Sequence, residues 1–247
     1  YNEADTLETT VLSLREQSYP NLEIIVVNDG SSDGMGEIGR RLARRGWVRY
    51  FEHRHRGGKS SAENFAANAA RGEYMVICDA DSTFDRHSVW HLLVEFYRPE
   101  IQAVAGNLRV RNGGTNLLTR CQAIQYLFSI GVGRRTAAAA GTLSIVSGAF
   151  GALRSSIVKQ VGGWEAGPGE DGDLTTKICL AGGQIGFARG LALERAGLGL
   201  EEIASISLLP ETTAAWTGGS PASALVAAAA VGAAEPWPPL QPEKRLM

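Results

Sequence analysis

The chain has 247 residues, 44% hydrophobic and 20% charged, enough apolar material for one large domain or two small ones. Its formal net charge of −2 excludes a global electrostatic pull toward nucleic acid, so an anionic ligand has to be held locally or through a metal. Three scattered cysteines, Cys78, Cys121 and Cys179, argue against a disulfide framework and for a reducing compartment, and no apolar run reaches the ~18 residues of a membrane-spanning helix.

The chain opens on YNEADTLETT, with no initiator methionine and no strand before its first helix, and is expected to be incomplete at the front. Leu7, Val11 and Leu14 recur at i, i+4 and i+7 and predict a helix, with Asp5 and Glu8 as its cap and Pro20 beyond its end. LEIIVVND is a continuous β-branched run, the pattern of a parallel strand covered on both faces. GSSDG is a turn, and a helix through Arg45 follows; Arg40, Arg41, Arg44 and Arg45 read as its solvated face. VRYFEHR is the next strand. After GGK comes a helix with Ala62, Phe65, Ala66 and Ala69 on one face.

YMVICDAD is a strand, RHSVWHLLVEFY a helix and AVAGNLRV another strand. This alternation predicts an α/β fold, a mostly parallel, doubly wound sheet with right-handed crossovers. A long helix is expected over residues 115–135, then SGAFGALR as strand or loop and SSIVKQVGGW as a short helix. EDGDLTTKICLAGG begins a helix with acids where the helix dipole favours them, and QIGFA reads as a last strand. Residues 1–188 are therefore taken as one domain. Residues 189–247 form an Ala-, Gly- and Pro-rich tail of weak periodicity, read as a disordered or frame-shifted end or a divergent subdomain.

Two acidic stretches, VVNDGSSDG and VICDADS, fall at strand ends, where open α/β sheets bind ligands. Charge there is costly unless it is paired, solvated or bound to a metal. Asp79 and Asp81, one residue apart, can hold one divalent cation, which in turn can hold a phosphate; alone, the same pair also fits a solvated turn. GGKSSAEN puts Lys59 and free N–H groups at a helix start, which suits a phosphate, although the Walker A spacing is absent. Glu170, Asp171 and Asp173 crowd one helix start. Crowding raises carboxyl pKa values and makes a general base, though a helix cap needs no more than this. His53, His55, His87 and His91 form no ligand set and read as surface residues.

In order, YNE, VVNDGSSDG, GGKSSAEN, CDADS, SGAFGALR, GGW and GEDGDLT resemble the processive inverting glycosyltransferases of family 2, nearest the poly-N-acetylglucosamine, chitin and hyaluronan synthase branch. The resemblance covers about residues 1–188. It implies a GT-A fold whose first strand is missing, a UDP-sugar donor (N-acetylglucosamine by branch), a growing polysaccharide acceptor, a Mg²⁺ or Mn²⁺ cofactor and no nucleic acid. It also implies, for the full-length family, a place in the membrane with the catalytic domain on the cytoplasmic face. Tyr1, Asn2 and Glu3 then lie near the nucleotide, Asp29 at the uridine and Lys59 near the diphosphate. Asp79 and Asp81 are the metal-side pair, with Asp81 the direct ligand. Asp171 is the general base, and Ser147, Gly148, Trp164 and Glu170 line the acceptor side.

Two features depart from that family. Its Q-x-x-R-W motif is absent, since no Trp follows an Arg here, and its flanking transmembrane helices are missing. A UDP-sugar-binding remnant without transfer therefore stays open as an alternative, with a nucleotidyltransferase as a more distant one.

Overall fold

In the computed structural model, residues 1–110, 112, 114–167, 169–188, 193–195 and 225–230 are described. The first helix, α1 (Ala4–Arg15), buries Leu7, Thr10, Val11 and Leu14. Its N-cap is Glu3 rather than Asp5, which sits in the first turn; no side chain caps it, and the Glu3 carbonyl accepts from the Leu7 N–H at 3.0 Å. Strand β1 (Leu22–Asn28) has Ile24 to Asn28 all buried, as a strand covered on both faces must. Then come α2 (Met35–Arg44), β2 (Arg49–Glu52), α3 (Lys59–Ala69) and β3 (Tyr74–Asp79). Ala62 and Ala66 of α3 are buried, whereas Phe65 is 39% exposed and packs edge-on against Phe51 and His53. The arginines of α2 stay solvated: Arg40 pairs with Glu52, and Arg41 and Arg45 with Glu8, at the surface.

After the two-residue β4 (Ser82–Thr83), the helix α4 (Ser88–Leu93) tightens into a 3₁₀ turn, and β5 (Ile101–Ala105) and β6 (Leu108–Val110) follow. The long helix expected over 115–135 is α5 (Leu117–Tyr126), running into a π-helical turn over Leu127–Arg134 and then α6 (Arg135–Ala139). Asn116 caps α5 reciprocally with Thr119. The last elements are β7 (Phe150–Arg154), α7 (Ser155–Val161), α8 (Glu170–Leu180), β8 (Gln184–Phe187), β9 (Leu193–Arg195) and β10 (Leu225–Ala230).

The main sheet has seven strands in the order β2-β1-β10-β3-β7-β5-β8; β4, β9 and β6 form a second, small sheet. β1 and β2 are parallel, as are β5 and β8, while β7 and β10 run against both their neighbours. The sheet is thus mixed rather than parallel throughout, and β1, β2, β3, β5 and β8 share one carboxyl edge. Two segments of the expected tail, β9 and β10, join these sheets; the rest of the tail lies outside the described residues.

Arg154, the last residue of SGAFGALR, ties three strands to the 3₁₀ turn after α4. Its guanidinium donates to the Ile101 carbonyl (3.1 Å), the Phe96 carbonyl (2.9 Å) and the Tyr74 hydroxyl (3.2 Å) and lies over the rings of Tyr74 and Phe96. Arg154→Met keeps much of the apolar stem but strips both carbonyls of their donors. A loss of about 2–3 kcal/mol is expected from the midpoint of urea unfolding; an unchanged midpoint would mean that these bonds add nothing net.

Candidate active site

One side of the site grows from the end of β1. Asp29 is fully buried, and its two carboxylate oxygens accept the N–H groups of Gly57 (2.9 Å) and Gly58 (2.8 Å). The GGK turn is thereby tied to β1, with Gly58 at φ +88°, a conformation that side-chain-bearing residues avoid. His53 Nδ1 lies 3.0 Å from the same Asp29 carboxylate, so this histidine is part of the site's frame and not a surface residue. Sequence spacing gave no sign of it, because the contact joins the ends of two neighbouring strands.

Tyr1, Asn2 and Glu3 lie against the loop after β1. The Asn2 N–H donates to Ser31 Oγ (3.0 Å), Asn2 Oδ1 accepts from the Ser32 N–H (2.9 Å), and the Ala4 N–H donates to Asp33 (2.9 Å). Asn2 takes a left-handed φ of 58°, which Asn tolerates better than most residues. Arg56 from the GGK turn stacks over the Tyr1 ring at 4.6 Å. The structure therefore gathers Tyr1–Glu3, Asp29 and the GGK turn on one side of the carboxyl edge.

Lys59 is the first residue of α3 and the hub between the two sides. Its Nζ lies 3.3 Å from Glu170, 3.5 Å from Asp171 and 3.9 Å from Glu63. Burial alone would lower its pKa, but Asp79, Glu63, Asp171 and Glu170 outweigh it and raise it, so Lys59 is charged. Glu63, Glu170 and Asp171 bring carboxylate oxygens within 4.8 Å of one another. The cation at their centre is the Lys59 ammonium.

Asp79 ends β3 and is 5% exposed, while Asp81 is half-buried and accepts from Ser82 Oγ at 3.1 Å. Two carboxylates at a strand end are hard oxygen donors, the chemistry that Mg²⁺ and Mn²⁺ select. The donor set fits a divalent cation, with Asp79 and Asp81 as the residues to hold it. Asp79 also acts electrostatically on Lys59 and Glu63, so this pair borders the carboxyl trio.

On the other side of Lys59, Asp171 opens α8 in its first turn. Its carboxylate accepts the Gly148 N–H at 2.7 Å, while the Thr175 hydroxyl bridges the Asp171 carbonyl (2.6 Å) and the Val146 N–H (3.0 Å). Asp171 is thus pinned to the loop before β7. Burial raises the Asp171 pKa; Lys59 and the Gly148 N–H oppose it without cancelling it. Ser147, Gly148, Trp164 and Asp171 line one small pocket. Trp164 is 4% exposed and is held by Asn64, which donates to its carbonyl (2.7 Å) and accepts its N–H (3.0 Å). Glu63 and Asn64 were not picked out in the sequence, because on a helix an apolar face and a buried polar group have the same period.

A methyl group on Gly148 would sit 2.5 Å from Lys59 Nζ and 2.6 Å from an Asp171 oxygen. Gly148→Ala therefore has to push the pair apart. A drop of about a hundredfold in any transfer rate is expected, the scale of a misplaced catalytic group, with the unfolding midpoint little changed; a variant of normal rate would show that this spacing is unimportant.

Residues 1–162 match the Glycosyl transferase family 2 profile. The chain is 34% identical over 166 residues to a poly-beta-1,6-N-acetyl-D-glucosamine synthase of Staphylococcus epidermidis, covering 67% of this chain and 40% of that one. It is 32% identical over 189 residues to the synthase of the same name from Staphylococcus aureus, covering 76% and 46%. The chain thus spans less than half the length of these curated relatives. Among solved structures, the mannosyltransferase PcManGT from Pyrobaculum calidifontis, in complex with GDP-Man and Mn²⁺, superposes with a TM-score of 0.69 at 26% identity, over 83% of this chain and 57% of that one. Residues 1–349 of S. aureus TarS in complex with UDP give 0.60 at 17% identity over 83% and 60%, a likeness of fold alone. The fold is that of the GT-A glycosyltransferases, and with the profile covering most of its length the chain belongs to glycosyl transferase family 2.

Proposed function

We propose that this chain carries the catalytic domain of a metal-dependent, inverting glycosyltransferase that moves N-acetylglucosamine from a UDP-sugar to a growing polysaccharide. The observation that supports it best is the placement of Asp171, a largely shielded carboxylate held by the Gly148 N–H beside a charged lysine. In this reading an Asp171 oxygen takes the proton of an acceptor hydroxyl. The hydroxyl oxygen then attacks the anomeric carbon from the face opposite UDP. The bond from that carbon to the diphosphate oxygen breaks, its electron pair leaves with UDP, and one displacement inverts the centre. Lys59 offers a positive charge to the diphosphate. A divalent cation held by Asp79 and Asp81 supplies electrostatic neutralisation of the leaving diphosphate.

The relatives' synthase names and the GDP-Man and Mn²⁺ of the neighbouring mannosyltransferase support this assignment. In the full-length protein the domain works at the cytoplasmic face of a membrane. Among the described residues no helix is long and apolar enough to cross one.

Calorimetric titration of UDP with and without Mn²⁺ tests the donor side. Metal-dependent binding is expected, weakened about a hundredfold (~2.7 kcal/mol) in Asp81→Ala. Binding indifferent to metal and to Asp81 would remove the metal from the reading. The missing Q-x-x-R-W motif favours one rival, a domain that binds the donor without transferring it; UDP binding with no transfer from UDP-N-acetylglucosamine would establish that rival.

A further inference from the structure

One member of the carboxyl trio has no part in the chemistry above. Glu63 sits one turn along α3 from Lys59, its side chain fully shielded from solvent. Among the described residues neither of its carboxyl oxygens has a hydrogen-bond partner, and its closest cation is Lys59 Nζ at 3.9 Å. That ammonium is also shared with Glu170 and Asp171 at 3.3 and 3.5 Å. One positive charge thus faces three carboxyls. Asp171 has the Gly148 N–H to stabilise its charge, and Glu170 is partly open to solvent. Glu63 has neither. An ion left in that position without hydrogen bonds is the costliest of the three, so Glu63 is the group that keeps a proton.

The groups that face it are Lys59 on its own helix, Glu170 and Asp171 on α8 and Asp79 on β3. Burial is the largest influence raising its pKa; Asp171, Glu170 and Asp79 act the same way, and only Lys59 opposes them. A neutral carboxylic acid in this place is an inert floor beneath Lys59. The same group ionised is a buried counter-ion with, among the described residues, Lys59 alone to satisfy it.

We propose that Glu63 is a positioning residue for Lys59: protonated, it leaves the ammonium to the donor's diphosphate, and ionised, it draws the ammonium back into the protein. This rests on the donor-site reading given above. As pH rises, one proton passes from Glu63 to solvent and Lys59 is retained by the carboxylate. A diphosphate that recruits Lys59 forces the proton back on. Donor affinity therefore falls as pH rises through the range in which Glu63 ionises.

The test is the slope of affinity against pH. UDP is titrated with Mn²⁺ into the whole chain, and into Glu63→Gln and Glu63→Leu, across the neutral and alkaline range in which all three proteins stay folded. The unaltered chain is expected to lose affinity more steeply than either neutral variant, with an excess slope approaching about tenfold per pH unit. Both variants share any titration of the uracil or of metal-bound water, so only the difference in slope bears on Glu63. The leucine variant is apolar and of similar length, and guards against a glutamine amide that fails to pack. Equal slopes in all three proteins would overturn the inference alone. Absence of UDP binding at every pH would overturn the donor-site reading and the inference with it.

Discussion

Asp171→Asn is expected to lower sugar transfer by about a thousandfold or more, the upper range for loss of a general base, while UDP still binds. The amide keeps the shape of the carboxylate, and its oxygen can still accept the Gly148 N–H that holds Asp171 at 2.7 Å. It cannot accept a proton from an acceptor hydroxyl. Lys59 keeps Glu170 as an ionic partner, so the hub persists. Steady-state transfer and UDP calorimetry on one preparation separate the two effects. Transfer above a tenth of normal would remove Asp171 from the role of base.

The pH dependence has a fixed sign. In the proposed mechanism transfer needs Asp171 ionised, and burial raises its pKa above the ordinary value for Asp. Activity should therefore rise with pH through a midpoint above ~3.9 and fall as Asp171 takes up a proton below it. A profile whose acid limb lies at or below the ordinary Asp value would mean that another group serves as base.

The strand ends that carry the acids were legible because local pattern and chemistry coincide there. LEIIVVND and YMVICDAD are short apolar runs that end in acids, and the structure makes both strands with Asp29 and Asp79 at their carboxyl ends. GEDGDLT opens a helix, as its first-turn acids imply. What was not legible depends on pairing between distant segments. The antiparallel direction of β7 leaves no trace in SGAFGALR, because strand direction is set by the neighbours and not by period. His53 reaches Asp29 across two strands, and Asn64 reaches Trp164 across 100 positions. Glu63 reads as an ordinary helix residue until Glu170 and Asp171 are folded against it. Alanine is depleted in strands, so ALVAAAA gave no strand signal; hydrogen bonding on both sides overrides that preference in β10.

The second large effect is expected at that strand. β10 lies inside the main sheet, with β1 on one side and β3 on the other, over the whole of Leu225–Ala230. In such a strand successive N–H groups donate alternately to the two neighbours, so every position supports a ladder. Proline supplies no N–H, fixes φ and is found in sheets only at edges, starts or bulges. Ala228→Pro, opposite Ile24 on one side and Val76 on the other, is therefore expected to cost about 3 kcal/mol or more. The damage should extend to the site. Leu225 pairs with Val27 in β1 and with Asp79 in β3, so β10 sets the spacing between the strand ends that carry Asp29 and Asp79. A lower urea midpoint together with weakened UDP binding is the expected result, and a chain ended after Ala188 should behave at least as badly. If both keep the normal midpoint and bind UDP normally, β1 and β3 hold their places without β10, and the catalytic domain is complete by residue 188.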